Sequence, residues 1–270
     1  MTTARLLATI ALFTAPSIAA AQGAPGRAVL EKMHAAYAGK WYTTLTFVQK
    51  TTFYIPGAAE RVSTWWESIR YTPQYGVQLR IDRDDPAAGN GSLATADSTW
   101  IVRNGALAQV RGRGNEFLPL IEGVYVQPLD QTERQIRAIG VDMHRTHLRT
   151  WQGRPTTVVG TTSASDTTST QFWIDDERQI VTRMIITQAP PLPANAPPGT
   201  SATAAMVLDV VLGGYERVGG GWLETKVDIF INGVLRQREE YTDWKVDIPL
   251  ADALFDPARW TTAPHWGKRP

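Results

Sequence analysis

The chain of 270 residues contains no cysteine. That absence excludes a disulfide framework, a thiol nucleophile and a thiolate metal site. It also excludes a lipidated N-terminus, which needs a cysteine just after an export signal. An excess of one charge is lacking as well: 27 Lys and Arg stand against 26 Asp and Glu, a formal charge of +1. So even a balance offers no electrostatic footprint for nucleic acid or for an anionic membrane. Histidine is scarce, at four residues. There is no Gly-x-Ser-x-Gly elbow and no phosphate-cradling glycine motif. Long hydrophobic runs are missing too. The most compact one, Leu6 to Phe13, falls short of the roughly 20 residues of a membrane helix, and Pro16 interrupts its end.

What that run does fit is an export signal. Arg5 precedes it, and Ala19-Ala20-Ala21 supplies the small residues that a signal peptidase reads, placing the mature N-terminus at Gln22. Arg5 is the one charged residue of the segment, so cleavage takes the formal charge from +1 to 0. The expectation is a signal peptide over residues 1–21 and a single exported domain over residues 22–270, without a transmembrane segment and located in the periplasm.

Aromatic residues are plentiful: ten Trp, eight Tyr and seven Phe. One helix opens the mature chain, with Val29, Met33, Ala36 and Tyr37 on one face and Gly39 as its stop. Nearly everything after it reads as strand. Leu45 and Phe47 alternate against Thr44 and Thr46, and Leu79 and Ile81 alternate against Gln78 and Arg80. Asn104-Gly105 and Asn232-Gly233 are the residue pairs that tight hairpins prefer. Gln152-Gly153-Arg154, the polar Asp175 to Gln179 stretch and Gly219-Gly220-Gly221 mark three further hairpins. Two segments break the rhythm: Pro128 to Gly140 predicts a helix in a crossover, and Pro190 to Ser201 an exposed loop. The count is about ten to twelve strands joined mostly in sequence. A meander that wide must curl, and two helices suffice only to cap its concave side. The predicted fold is therefore mainly β: a curved antiparallel sheet, an unclosed half-barrel, wrapped around one or two lid helices.

Reactive constellations are few. His144 and His147, three apart in a β-type segment, point to opposite faces and make a poor metal pair. Asp82, Asp84 and Asp85 lack the spacing of a calcium loop and read as solvated turn residues, as do Asp175, Asp176 and Glu177. Arg111 and Arg113, near Phe117, read as solvated surface charges. No catalytic residue, metal site or cofactor is expected, and the protein is not read as an enzyme.

Several stretches together resemble the LolA/LolB-like lipoprotein-localisation superfamily of periplasmic carriers. They are the Val29-Leu30-Glu31-Lys32-Met33 helix, Phe47-Val48-Gln49, Leu79-Arg80-Ile81-Asp82 and the strand and turn from Ser98 to Gly105. Phe172-Trp173-Ile174-Asp175 with Thr182-Arg183-Met184, Glu240 to Trp244 and Leu254-Phe255-Asp256-Pro257 complete the set. The resemblance implies a half-barrel with helices lidding an apolar cavity, and lipid or the acyl chains of a lipoprotein as the ligand. The candidate cavity residues are Leu45, Phe47, Trp66, Leu79, Ile81, Trp100, Val102, Trp173, Met184, Ile186, Val227 and Ile229. In each strand parity decides the face. The alternative expectation is an envelope-stress sensor or adaptor that uses the same fold to bind a protein partner.

Overall fold

The computed structural model describes residues 24–189 and 205–267; the expected signal peptide and the Pro190–Ser201 loop lie outside them. Pro25 starts helix α1 (Pro25–Tyr37) at the position where its missing N–H costs nothing. The buried face is Gly26, Leu30, Met33 and Tyr37. It is rotated by about one residue from the predicted one, and Val29 and Ala36 flank it as half-buried neighbours.

The chain then runs through β1 (Thr44–Phe53), β2 (Arg61–Thr72), β3 (Gly76–Arg83), β4 (Gly91–Ala94), β5 (Thr99–Arg103) and β6 (Ala106–Arg111) as an antiparallel meander. A π-type turn (Pro119–Gly123) passes into a helical turn, α2 (Val124–Val126), and then into α3 (Leu129–Ala138), which buries Thr132 and Ile136. The second meander comprises β7 (Thr146–Trp151), β8 (Arg154–Val159), β9 (Gln171–Asp175), β10 (Ile180–Gln188) and β11 (Met206–Gly213). After an excursion, β14 (Lys226–Ile231) and β15 (Val234–Val246) complete it. The sheet has 13 strands in the order β6-β5-β4-β3-β2-β1-β15-β14-β11-β10-β9-β8-β7 and does not close into a barrel. The first and last strands meet at its centre, and the helical crossover links its two outer edges.

Turn chemistry appears where the sequence announces it. Asn104 (φ 49°) with Gly105 (φ 78°) and Asn232 (φ 50°) with Gly233 (φ 76°) take the left-handed conformation that two-residue hairpins need. The Gly219–Gly221 signal marks a smaller object than expected. Residues between β11 and β14 leave the sheet as a two-stranded ribbon, β12 (Glu216–Val218) and β13 (Gly221–Leu223), while β11 pairs directly with β14.

Two cores result. The larger fills the concave side, where Leu30, Met33 and Tyr37 of α1 and Leu118, Leu120, Val124 and Ile136 of the crossover meet the inward side chains of the sheet. The smaller lies on the convex side of β3–β5, where Leu93 and Val102 pack against Leu254, Phe255 and Trp260 of the C-terminal segment. That contact depends on Gly91: a Cβ there would sit 2.0 Å from the Ile81 carbonyl oxygen and 2.7 Å from the Trp260 ring. Gly91→Ala is expected to cost about 2 kcal/mol by overpacking, read as a lower midpoint in urea unfolding with an unchanged slope.

Candidate functional site

Parity sorts the residues of β1–β3. Leu45 lies opposite Ile69, Phe47 opposite Glu67, Ile69 opposite Leu79 and Glu67 opposite Ile81, so all of these project from one face. On the other half of the sheet Met184, Val210 and Ile229 align in the same way, as do Leu212 and Val227. The two sets surround a cavity of about 200 Å³. Its roof is Asn115, Phe117, Ile121 and Glu122 of the crossover together with Leu223 and Glu224 at the end of the ribbon.

Leu45, Phe47, Leu79, Ile81, Met184, Val227 and Ile229 line this cavity. Ile186 belongs to the concave core on the same strand face as Met184 but outside the cavity wall. Trp66, Trp100, Val102 and Trp173 are elsewhere. Trp66 points to the convex side, where its ring meets Trp266 at 5.5 Å. Val102 and Trp100 belong to the convex core, and Trp100 also borders an outer groove with Arg70 and Arg259. Trp173 is sandwiched between the guanidinium groups of Arg149 and Arg183, 4.2 and 4.4 Å from its ring. The physical reason is shared: these strands carry apolar side chains on both faces, because the convex face is covered too.

The roof is anchored by aromatic rings. Trp41 stacks on Tyr125 with centroids 3.9 Å apart, and Tyr37 meets Trp41 edge-on at 5.0 Å. Trp41 Nε1 donates to one oxygen of Glu122 at 2.9 Å and the Tyr42 hydroxyl to the other at 2.6 Å.

Glu122 is one of four glutamates in the lining; the others are Glu67, Glu224 and Glu239, and among the described residues no Lys, Arg or His accompanies them there. Glu239 accepts from Tyr241 and from Gln237. Burial drives all four carboxyls upward. It holds Glu122 at about 8 against the pull of its two donors. Glu224 is raised to about 7, with the field of Glu239 adding to burial. Burial lifts Glu67 well above the carboxylate range, again with Glu239 adding, and raises Glu239 itself. Sequence reasoning missed these residues, although Glu67 shares its parity with Trp65 and Ile69, and Glu122 sits inside an apolar run.

The acidic cluster at the end of β3 also differs from expectation. Asp82 is fully buried, bound by Arg80, rather than solvated. Asp84 does serve its turn, accepting from Ser63 and from the Thr64 amide.

Among solved structures, an outer membrane lipoprotein-sorting protein domain from Vibrio parahaemolyticus superposes over 87% of this chain and 98% of its own, with TM-score 0.54 and 9% identity. A DUF1329 family protein from Desulfovibrio piger covers 86% of this chain and 98% of its own, with TM-score 0.52 and 13% identity. Both share this chain's fold. A LolA superfamily protein from Nitrosomonas europaea gives TM-score 0.47 at 11% identity, over 86% of this chain and 98% of its own. No family model matches the sequence, and no curated protein does. The shared fold is built on an open antiparallel sheet that does not close into a barrel. Among the described residues no helix is long and apolar enough to cross a membrane.

Proposed function

We propose that the protein is a periplasmic, non-catalytic carrier that holds the apolar chain of a lipid or acylated lipoprotein in the concave cavity. The observation that carries this reading is the cavity itself. A space walled by Leu45, Leu79, Met184, Val210 and Ile229 is left open beneath an anchored roof, where an ordinary core would be filled by side chains. Each methylene moved from water onto such walls contributes roughly 0.8 kcal/mol, so binding needs no reactive group. Release then requires the Phe117–Glu122 roof or the β12–β13 ribbon to move. The export signal expected over residues 1–21 and the lipoprotein-sorting relative support delivery across the envelope.

Ile229→Trp places a ring in the cavity and is expected to lower uptake of a fluorescent fatty alcohol at least tenfold. Thermal unfolding checks that the sheet is intact. Native mass spectrometry of the exported protein supplies the second measurement: a stoichiometric lipid or acylated peptide supports the reading. Unchanged uptake by Ile229→Trp, or a clean mass with no uptake at all, overturns it.

A further inference from the structure

The cavity wall carries a chemical bias that acyl-chain binding does not use. Glu67 is 4% exposed, lies in the wall, and has no hydrogen-bond or ion-pair partner among the described residues. Glu224 at the ribbon end likewise makes no side-chain bond to another residue there. A buried carboxyl without a partner is costly, and it is retained where something else supplies the missing interaction. The groups facing Glu67 do not. Glu239 from β15 and Glu224 from the ribbon are acids, and Arg83 from β3 is exposed and stacked 5.1 Å from the Trp65 ring. A cation inside the cavity would meet carboxylates and also the aromatic faces of Phe47, Trp65, Tyr241 and Trp244, which attract positive charge. A metal ion fits less well, since no three His, Asp or Glu side chains converge as metal ligands among the described residues.

We propose that the cavity selects an amphiphile with a cationic, ammonium-type head, seated on Glu67 and ringed by Glu224, Glu239 and the aromatic faces. The inference rests on the carrier reading and adds the class of ligand. Once ionised, the same acids repel an anionic head, whether carboxylate or phosphate. The roof oxygens of Glu122 are occupied by Trp41 and Tyr42, so that residue shapes the field rather than the contact. Because burial raises all four acids, a fixed cation binds more tightly as pH rises and they ionise.

The test compares three probes with one ten-carbon chain, decyltrimethylammonium, decanoate and decanol, by calorimetric titration of the full exported chain at pH 8. The cation is expected to bind at least tenfold more tightly than decanoate and more tightly than decanol, with an affinity that falls at pH 6. Glu67→Gln, which keeps the shape, is expected to lose about tenfold for the cation and less than twofold for decanol. If decanol or decanoate matches the cation, or Glu67→Gln leaves cation binding unchanged, the head-group selection is overturned while the carrier reading stands. If no probe binds, both fall. Should Glu67→Gln not fold, the ranking of probes on the unaltered protein decides the question.

Discussion

Asp82→Ala is expected to remove about 3–5 kcal/mol of unfolding free energy, because it strands a buried guanidinium. Arg80 is 1% exposed and Asp82 is 0% exposed. Arg80 Nε and Nη2 donate to the two oxygens of Asp82 at 2.6 and 2.8 Å, the parallel geometry that makes such pairs strong. The remaining donors reach the C-terminal segment, Nη1 to the Leu254 carbonyl at 2.7 Å and Nη2 to that of Trp260 at 2.9 Å. The guanidinium also lies 3.8 Å from the Trp260 ring, and His265 Nε2 reaches Asp82 at 3.1 Å. The pair is thus the rivet between β3 and the segment that covers the convex face. Asp82→Asn keeps the volume and should lose nearly as much, which separates charge from packing. By contrast, Lys50→Ala breaks only the exposed pair with Glu240 and should cost under about 1 kcal/mol. Burial opposes ionisation of Asp82, but hydrogen bonds from His265 and Arg80 outweigh it and hold the carboxyl below its ordinary 3.8. Its contribution is therefore present above that value and is lost as pH falls through the depressed one. Urea unfolding at neutral pH measures the loss, and a cost below 1 kcal/mol would show that Arg80 finds another acceptor.

Local chemistry made much of the fold legible. Asn-Gly pairs placed two hairpins, alternation at Leu45, Phe47, Leu79 and Ile81 placed the concave face, and the charged run with Ile136 placed the crossover helix. Alternation failed where both faces of a strand are covered. At Trp100, Val102 and Trp66 the C-terminal segment, distant in sequence, covers the outer face, and at Trp173 Arg149 and Arg183 do, so neighbours far along the chain decide which way these residues point. The carboxyls of the cavity were harder still. A glutamate in an alternating strand ordinarily marks the solvent side, and Glu67 and Glu239 invert that rule because they face a space rather than a packed core. The Arg80–Asp82 rivet was hidden by the same assumption, since a charged i, i+2 pair in a strand reads as a wet face.

Glu122→Gln is expected to make the protein more stable at pH 8, by about 4 kcal/mol, and nearly neutral in effect at pH 5. The Glu122 carboxyl ionises near 4.5 when the chain is unfolded and near 8 when it is folded, because burial beneath the roof penalises its charge. Between those values the folded chain holds a proton that the unfolded chain has released. Stability is therefore full below about 4.5 and declines until the pH passes about 8. Glutamine resembles the protonated acid: its oxygen can accept from Trp41 Nε1 while its amide donates to the Tyr42 hydroxyl, which keeps both contacts with the second bond reversed. Chemical denaturation at pH 5 and pH 8 reads the difference directly, and the raised carboxyls of Glu67, Glu224 and Glu239 supply the slope that remains in the variant. A variant whose stability declines as steeply as that of the parent would mean that water reaches Glu122 and that the roof is not sealed. The link to function is geometric. Trp41 and Tyr42 both donate to this side chain in the turn over the cavity, so its ionisation, favoured by those two donors and opposed by burial, acts on the element that must move for a ligand to enter or leave.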